Sequence, residues 1–259
     1  MPYQQGVHHT GVQNEKDLVK FQNENQDNAI NKRLTGQNTN QQCVWRQVGG
    51  TKHTEDAVAT TTNDDGSTQV HKISIKNHKT GTWDWLNTTQ AVPDALKTRL
   101  IEFKEAHYGA EITPELRKQF ADLFVSFIDS LDSATVKAIL LRIFLEYPEH
   151  ILVNDKKINS LIMFGKNNML NPAAGPQDVK YILKQASARG KTSRQIWIQK
   201  SNGEEVNTHL RLRLTTNNGI TALLGHSKAN KSSVACIKIQ QDKTDDFIES
   251  CSDKIIIPY

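Results

Sequence analysis

The sequence predicts an α/β protein with a mixed central β-sheet flanked by helices, and three patterns carry that expectation. Two β-rich segments, 56–62 and 69–76, flank the strong turn signal Asn63-Asp64-Asp65-Gly66. Between Pro114 and Tyr147 apolar residues recur at helical spacing. Beyond residue 193, short alternating apolar runs separated by polar turns return. At 259 residues, with 37% hydrophobic and 23% charged side chains, the chain is long enough to bury a core and has the composition of a folded protein.

From the N-terminus, Leu18, Val19 and Phe21 lie among polar residues, with Glu15, Lys16 and Asp17 ahead of them, and predict an amphipathic helix from Gly11 to about Asn25. The Asn/Gln/Thr cluster at 36–42 is a loop, and the segment 43–48 is a strand stopped by Gly49-Gly50. The segments 56–62 and 69–76 then make a β-hairpin. Trp83 and Trp85 flank Asp84 in strand-like alternation and read as core packing. In 114–147 the pattern breaks near Asp132-Ser133, giving two helices, the second capped by one of those residues, both expected on one face of a sheet centred on the hairpin. A short strand pair is expected over 151–164, a loop over 167–176 and a short helix over 178–186. Strands follow at 194–199, 208–214, 219–225 and 234–240, with Ile255-Ile256-Ile257 as a last edge strand. The organisation this suggests is one domain, 1–259, with a core at 11–165 and a basic, β-rich subregion at 177–259.

Several classes are set aside. The first thirty residues show no basic start followed by an apolar stretch, and no run approaches the roughly 18 apolar residues of a membrane helix. Cys43, Cys236 and Cys251, odd in number and widely spaced, suit reduced thiols, so a cytoplasmic location is expected. Neither a P-loop nor a dinucleotide glycine motif is present. His8, His9, His53, His71 and His78 lack metal-ligand spacing and read as surface or hydrogen-bonded side chains. The net charge of +4 is unevenly spread: twelve Lys/Arg face four acids between Gln177 and Lys243, leaving the remainder acidic. That asymmetry suits a chain that grips a polyanion with one region and gathers metal-binding carboxylates in another; a merely solvated basic face is the alternative.

The hairpin carries the chemistry. Pairing across its turn brings Asp56 and Lys76 to the same open end, and Ser74 and Lys76, two residues apart, share one strand face with the Ile75 carbonyl between them. A carboxylate, a carbonyl and an ammonium at one place are what metal-assisted phosphodiester hydrolysis needs: hard oxygen ligands for Mg²⁺, and a cation beside the attacking water. An Asp and an Ile-x-Ile-Lys strand ending also occur in hairpins with no such role.

The stretch Gly49-Gly50-Thr51-Lys52-His53-Thr54-Glu55-Asp56-Ala57, followed by Ile73-Ser74-Ile75-Lys76-Asn77-His78, resembles the PD-(D/E)xK nuclease core. More narrowly, it is similar to small type II restriction endonucleases that cut short CG-containing sites, a likeness extending through 225–231 and 236–239. The resemblance implies a restriction-endonuclease-like core and site-specific, Mg²⁺-dependent hydrolysis of double-stranded DNA. In that setting Asp56 binds the metal, Ile75 lends it a carbonyl, and Lys76 positions or helps deprotonate the attacking water. Ser74 departs from the pattern, which places Glu or Asp there. Metal coordination then calls for a bridging water or another carboxylate, with Glu15 on the first helix the candidate and Glu55 a spare; the helix dipole alone also accounts for Glu15.

For the DNA grip, Arg189, Lys191 and Arg194 are the expected phosphate contacts, with His78 beside the hairpin's second strand as a further candidate, and Lys52 is an expected DNA contact. Ser227, Lys228, Asn230 and Lys231, in a polar hairpin tip, are assigned base readout. Solvated turns are the alternative for both stretches. The expected partners are duplex DNA, a second copy of the chain if it acts as a dimer, and a companion methyltransferase acting on the same site without being a stable subunit. Two competing functions stay open: a repair or recombination nuclease with the same core, and a sequence-specific DNA-binding protein whose nuclease core has decayed, for which Ser74 is the evidence.

Overall fold

A computed structural model describes residues 7–38, 41–48, 55–78, 84–88, 92–166, 179–185, 193–216, 219–226, 235–241 and 243–259. The chain begins with helices α1 (Val7–Glu24) and α2 (Ala29–Leu34), then strands β1 (Cys43–Gln47), β2 (Ala57–Thr62), β3 (Thr68–His78) and β4 (Asp84–Thr88). Helices α3 (Asp94–His107), α4 (Pro114–Asp129) and α5 (Ser133–Glu146) follow, then β5 (His150–Asp155), β6 (Ser160–Gly165), β7 (Lys180–Lys184), β8 (Ser193–Gln199) and β9 (Glu205–Thr216). The last elements are α6 (Gly219–Leu223), β10 (Ala235–Gln241), α7 (Thr244–Ser250) and β11 (Ile255–Pro258). None of the described helices is long and apolar enough to cross a membrane.

These elements form two compact units, one of Met1–Gly81, Glu146–Asn168 and Glu249–Tyr259, the other of Thr82–Leu145 and Met169–Ile248. The first holds a six-stranded sheet in the order β1-β2-β3-β5-β6-β11. It is mixed because β3 and β5 run parallel while its other pairs are antiparallel. One face is sealed by α1 and α2: Leu18, Ile30 and Leu34 pack on Trp45, Ala57, Ala59, Ile73, Ile75 and Leu152. The polar character of α1 serves the sheet edge. Asn23 and Gln26 each exchange two hydrogen bonds with the backbone of Trp45 and Cys43, at 2.8–3.1 Å, so side-chain amides satisfy backbone groups of β1 that no further strand reaches. Asn28 caps α2 by accepting from the amides of Ile30 and Asn31, and Asn31 Oδ1 in turn accepts from Trp45 Nε1 at 2.7 Å.

The second unit holds a five-stranded antiparallel sheet, β4-β10-β9-β8-β7. Thr113 caps α4, whose Phe124, Phe127 and Ile128 are buried, and α4 packs on β8 and β9. Buried Ile196, Ile198, Leu210, Leu212 and Leu214 alternate with more exposed residues along those strands.

The hairpin, the two helices of 114–147, the strand pair after 150 and the edge strand at 255–257 are all present. Three expectations change. The helices of 114–147 belong, up to Leu145, to the second unit and not to the hairpin's sheet. The segment 178–186 is strand β7, because Tyr181-Ile182-Leu183 pair with β8 and their short apolar run fits either period. The segment 219–225 is helix α6: Gly219 enters it at φ +70°, and Ile220, Leu223 and Leu224 bury one face at i, i+3 and i+4.

Candidate active site

Asp56 sits immediately before β2, fixed by its own backbone. Its amide donates to the Ile73 carbonyl at 2.9 Å and its carbonyl accepts from Val48 at 3.1 Å. Ala57 pairs with Ile73 and faces the helix-covered core, so alternation turns Asp56 to the other face, with Ser74 and Lys76. There Asp56 Oδ2 accepts from the Ile75 amide at 2.6 Å and from Ser74 Oγ at 3.1 Å. No described residue donates to Oδ1. Because the N–H and C=O of one strand residue point the same lateral way, the Ile75 carbonyl opens to the same side as the Asp56 carboxylate.

Tyr147, between α5 and β5, completes the group. Its hydroxyl donates to Ser74 Oγ at 3.0 Å and lies within hydrogen-bonding reach of the Lys76 ammonium. Burial pushes the phenol above its ordinary range, opposed by the Lys76 charge and the bond to Ser74, while the negative charge of Asp56 raises it further. The hydroxyl therefore stays protonated at neutral pH. Ser74 Oγ, accepting from Tyr147 and donating to Asp56, is spent on positioning and is a poor replacement for a metal-binding carboxylate. Asp56 Oδ1 and the Ile75 carbonyl are the hard oxygens that remain. Together with waters and substrate phosphate, they fit the sparse protein ligation that Mg²⁺ takes.

Glu15 stands elsewhere. Its carboxylate accepts from Gln47 Nε2 at 2.7 Å, and Gln47 pairs with Ala57, so this contact is made on the core side of the sheet, one residue from Asp56. Glu55 is buried next to Asp56. His78 is buried at the end of β3, opposite Asp155. Arg194 is 5% exposed, and its guanidinium grips both carboxylate oxygens of Asp129 at 2.7 and 2.8 Å, clamping β8 to α4; this is a packing role and leaves no exposed fork for a phosphate. Lys184, Lys200 and Lys243 likewise pair with Glu205, Glu204 and Asp246. Lys52, Arg189, Lys191, Ser227, Lys228, Asn230 and Lys231 lie outside the described residues. Sequence reasoning missed Tyr147, which sits 73 residues from its partner Ser74.

No known protein family matches the chain, and no curated protein does. Among solved structures, the chain is similar to the restriction endonuclease MspI in complex with its cognate DNA, at 10% identity and a TM-score of 0.35, over 72% of this chain and 90% of that one. A likeness of that extent leaves the functional reading to rest on the site's own residues.

Proposed function

We propose that the chain is a Mg²⁺-dependent endonuclease of the type II restriction kind, hydrolysing phosphodiester bonds of double-stranded DNA at a short specific sequence. The observation that carries this reading is the convergence of Asp56, the Ile75 carbonyl and Lys76 at one end of a hairpin, held by Ser74 and Tyr147. A divalent cation held by Asp56 Oδ1 and the Ile75 carbonyl would supply a Lewis acid for the phosphate and a lowered pKa for a bound water. Asp56 is oriented by two donors on Oδ2, and Oδ1 accepts from no described residue. Lys76, steadied by Tyr147, holds the attacking water and offsets negative charge as the phosphorane-like state forms. Glu15, held by Gln47 on the core side of the sheet, does not share the Asp56 face, and Glu55, buried beside Asp56, is the second carboxylate if one is used. Duplex DNA is the partner, and a methyltransferase protecting the same sequence is the companion activity.

The test is incubation with plasmid DNA and Mg²⁺, followed by mapping of fragment ends. Discrete, reproducible bands are expected in Mg²⁺ or Mn²⁺ and none in Ca²⁺. Asp56→Asn and Lys76→Ala should each lower cleavage by about 10²–10⁴-fold while duplex binding survives. Structure-directed cuts in place of discrete bands would identify a repair or recombination nuclease. Intact DNA that is nevertheless bound sequence-specifically would identify the decayed binding protein that Ser74 raises.

A further inference from the structure

We infer that His71, Glu149 and His150 form a second metal site, for a borderline transition-metal ion such as Zn²⁺, on the face of the six-stranded sheet opposite Asp56, Ser74 and Lys76. One ligand atom from each of the three residues lies within 4.8 Å of the other two. The parallel pairing of β3 with β5 sets Ile73 beside His150, and strand alternation turns His71 to the same side as Ile73, the side that α1 and α2 cover. The two imidazoles stand 5.5 Å apart between centroids. Ligands at 2.0–2.1 Å from a tetrahedral ion are roughly 3.3 Å from one another, so side-chain rotations of about an ångström close the cluster.

The donor set discriminates. Two imidazoles and a carboxylate, with a fourth position left for water, is a combination zinc takes, whereas Mg²⁺ calls for oxygen ligands. The His71 ring lies beside the Leu34 carbonyl, and its Nε2 stands 3.5 Å from Thr61 Oγ1, the kind of outer contact that orients a ligating imidazole. Nδ1 of His150 is buried and has no hydrogen-bond partner among the described residues, a cost that a metal bond would remove. Arg33 stands near His150 and opposes a cation, but Asp253 pairs with it at 2.8 Å, so the two add no net charge. Glu149 is exposed and gives the ion a route in. Such an ion ties the start of β5 to β3 and takes no part in chemistry on the opposite face.

The test uses the full chain, stripped with chelator and titrated with Zn²⁺ by calorimetry and with Co²⁺ by visible absorption. Expected is one equivalent of Zn²⁺, an intense tetrahedral Co²⁺ spectrum and a rise in thermal midpoint. Glu149→Gln and His150→Gln should each weaken binding by at least about tenfold, since even outer contacts of metal sites are worth roughly 10–100-fold. Glu149 is exposed, so its variant keeps the fold. Asp56→Asn should bind Zn²⁺ as the parent does even though its nuclease activity is lost. No bound equivalent, parent-like affinity in both cluster variants, or loss of binding in Asp56→Asn would each overturn the site.

Discussion

Replacing Tyr147 by Phe isolates the positioning of Lys76 from its charge. The ring is 3% exposed and stays in place, so the change removes only a hydroxyl that donates to Ser74 at 3.0 Å and neighbours the Lys76 ammonium. One neutral hydrogen bond is worth about 1 kcal/mol net and one to a charged group about 1.5–3 kcal/mol. Lys76 is only half-buried and recovers most of its share from water, so an overall loss of about 1–2 kcal/mol in urea unfolding is expected. The kinetic effect is larger in proportion. An ammonium displaced by about an ångström can cost roughly 10²-fold, so the single-turnover cleavage rate in Mg²⁺ should fall about 10–100-fold with duplex affinity unchanged. Because the Tyr147 phenol is raised above its ordinary range, it is protonated throughout pH 7–9, and the deficit should be constant across that window. A rate within about twofold of the parent, accompanied by the expected loss of stability, would make Tyr147 a packing residue and refute its place in the site.

Asp129→Ala leaves the buried Arg194 guanidinium without its carboxylate and should cost about 3 kcal/mol or more in urea unfolding, whereas Arg194→Met, which removes the charge, should cost less and leave the salt dependence of DNA binding unchanged. A salt slope shallower by one phosphate in Arg194→Met would restore it to the DNA grip. Burial raises the thiols of Cys43 and Cys251 from 9.0 to about 11 and about 12. Above pH 9 the unfolded chain therefore loses protons that the folded chain keeps. Stability from these groups is intact below pH 9 and declines as pH rises toward 11 and 12, so the urea midpoint should drop over that range and the slope should flatten in Cys43→Ala/Cys251→Ala; an unchanged slope would mean that other groups carry the alkaline limb. Arg189→Ala and Lys191→Ala should weaken cognate and random duplexes alike, each flattening the salt dependence by about one counterion. Lys228, Asn230 or Lys231→Ala should shrink the specific-to-random ratio by roughly 1–3 kcal/mol per good contact, and equal losses on both duplexes would reduce that stretch to a phosphate clamp.

What the sequence makes legible is local. The hairpin follows from a turn signal between two alternating runs, and its pairing then determines that Asp56, Ser74 and Lys76 meet on one face, because a strand's period of two leaves no other choice. Arg194 was misleading for a related reason. It sits in a run of cations, and nothing in that run says that Asp129, 65 residues earlier, neutralises it. β7 and α6 show that an apolar run of three to five residues lacks the length to choose between periods; a pairing partner settles one, and a glycine at φ +70° opens the other.

The least legible feature is the parallel contact between β3 and β5. A parallel pair needs a long crossover, and here the chain between the two strands includes β4 and α3 to α5. Residues that meet across it are therefore some seventy positions apart, as the 73-residue separation of Ser74 and Tyr147 makes plain, and no periodicity in the sequence links them. The segment from Tyr147 to His150 enters β5 with side chains on both sides of the sheet. Tyr147 reaches Ser74 and Lys76 on one face, and His150 stands beside His71 on the other. Four residues at one strand entrance thus supply the missing contact of the proposed nuclease site and two of the three ligands of the proposed metal site, which is why a reading confined to the hairpin finds Asp56 and Lys76 but neither of their distant partners.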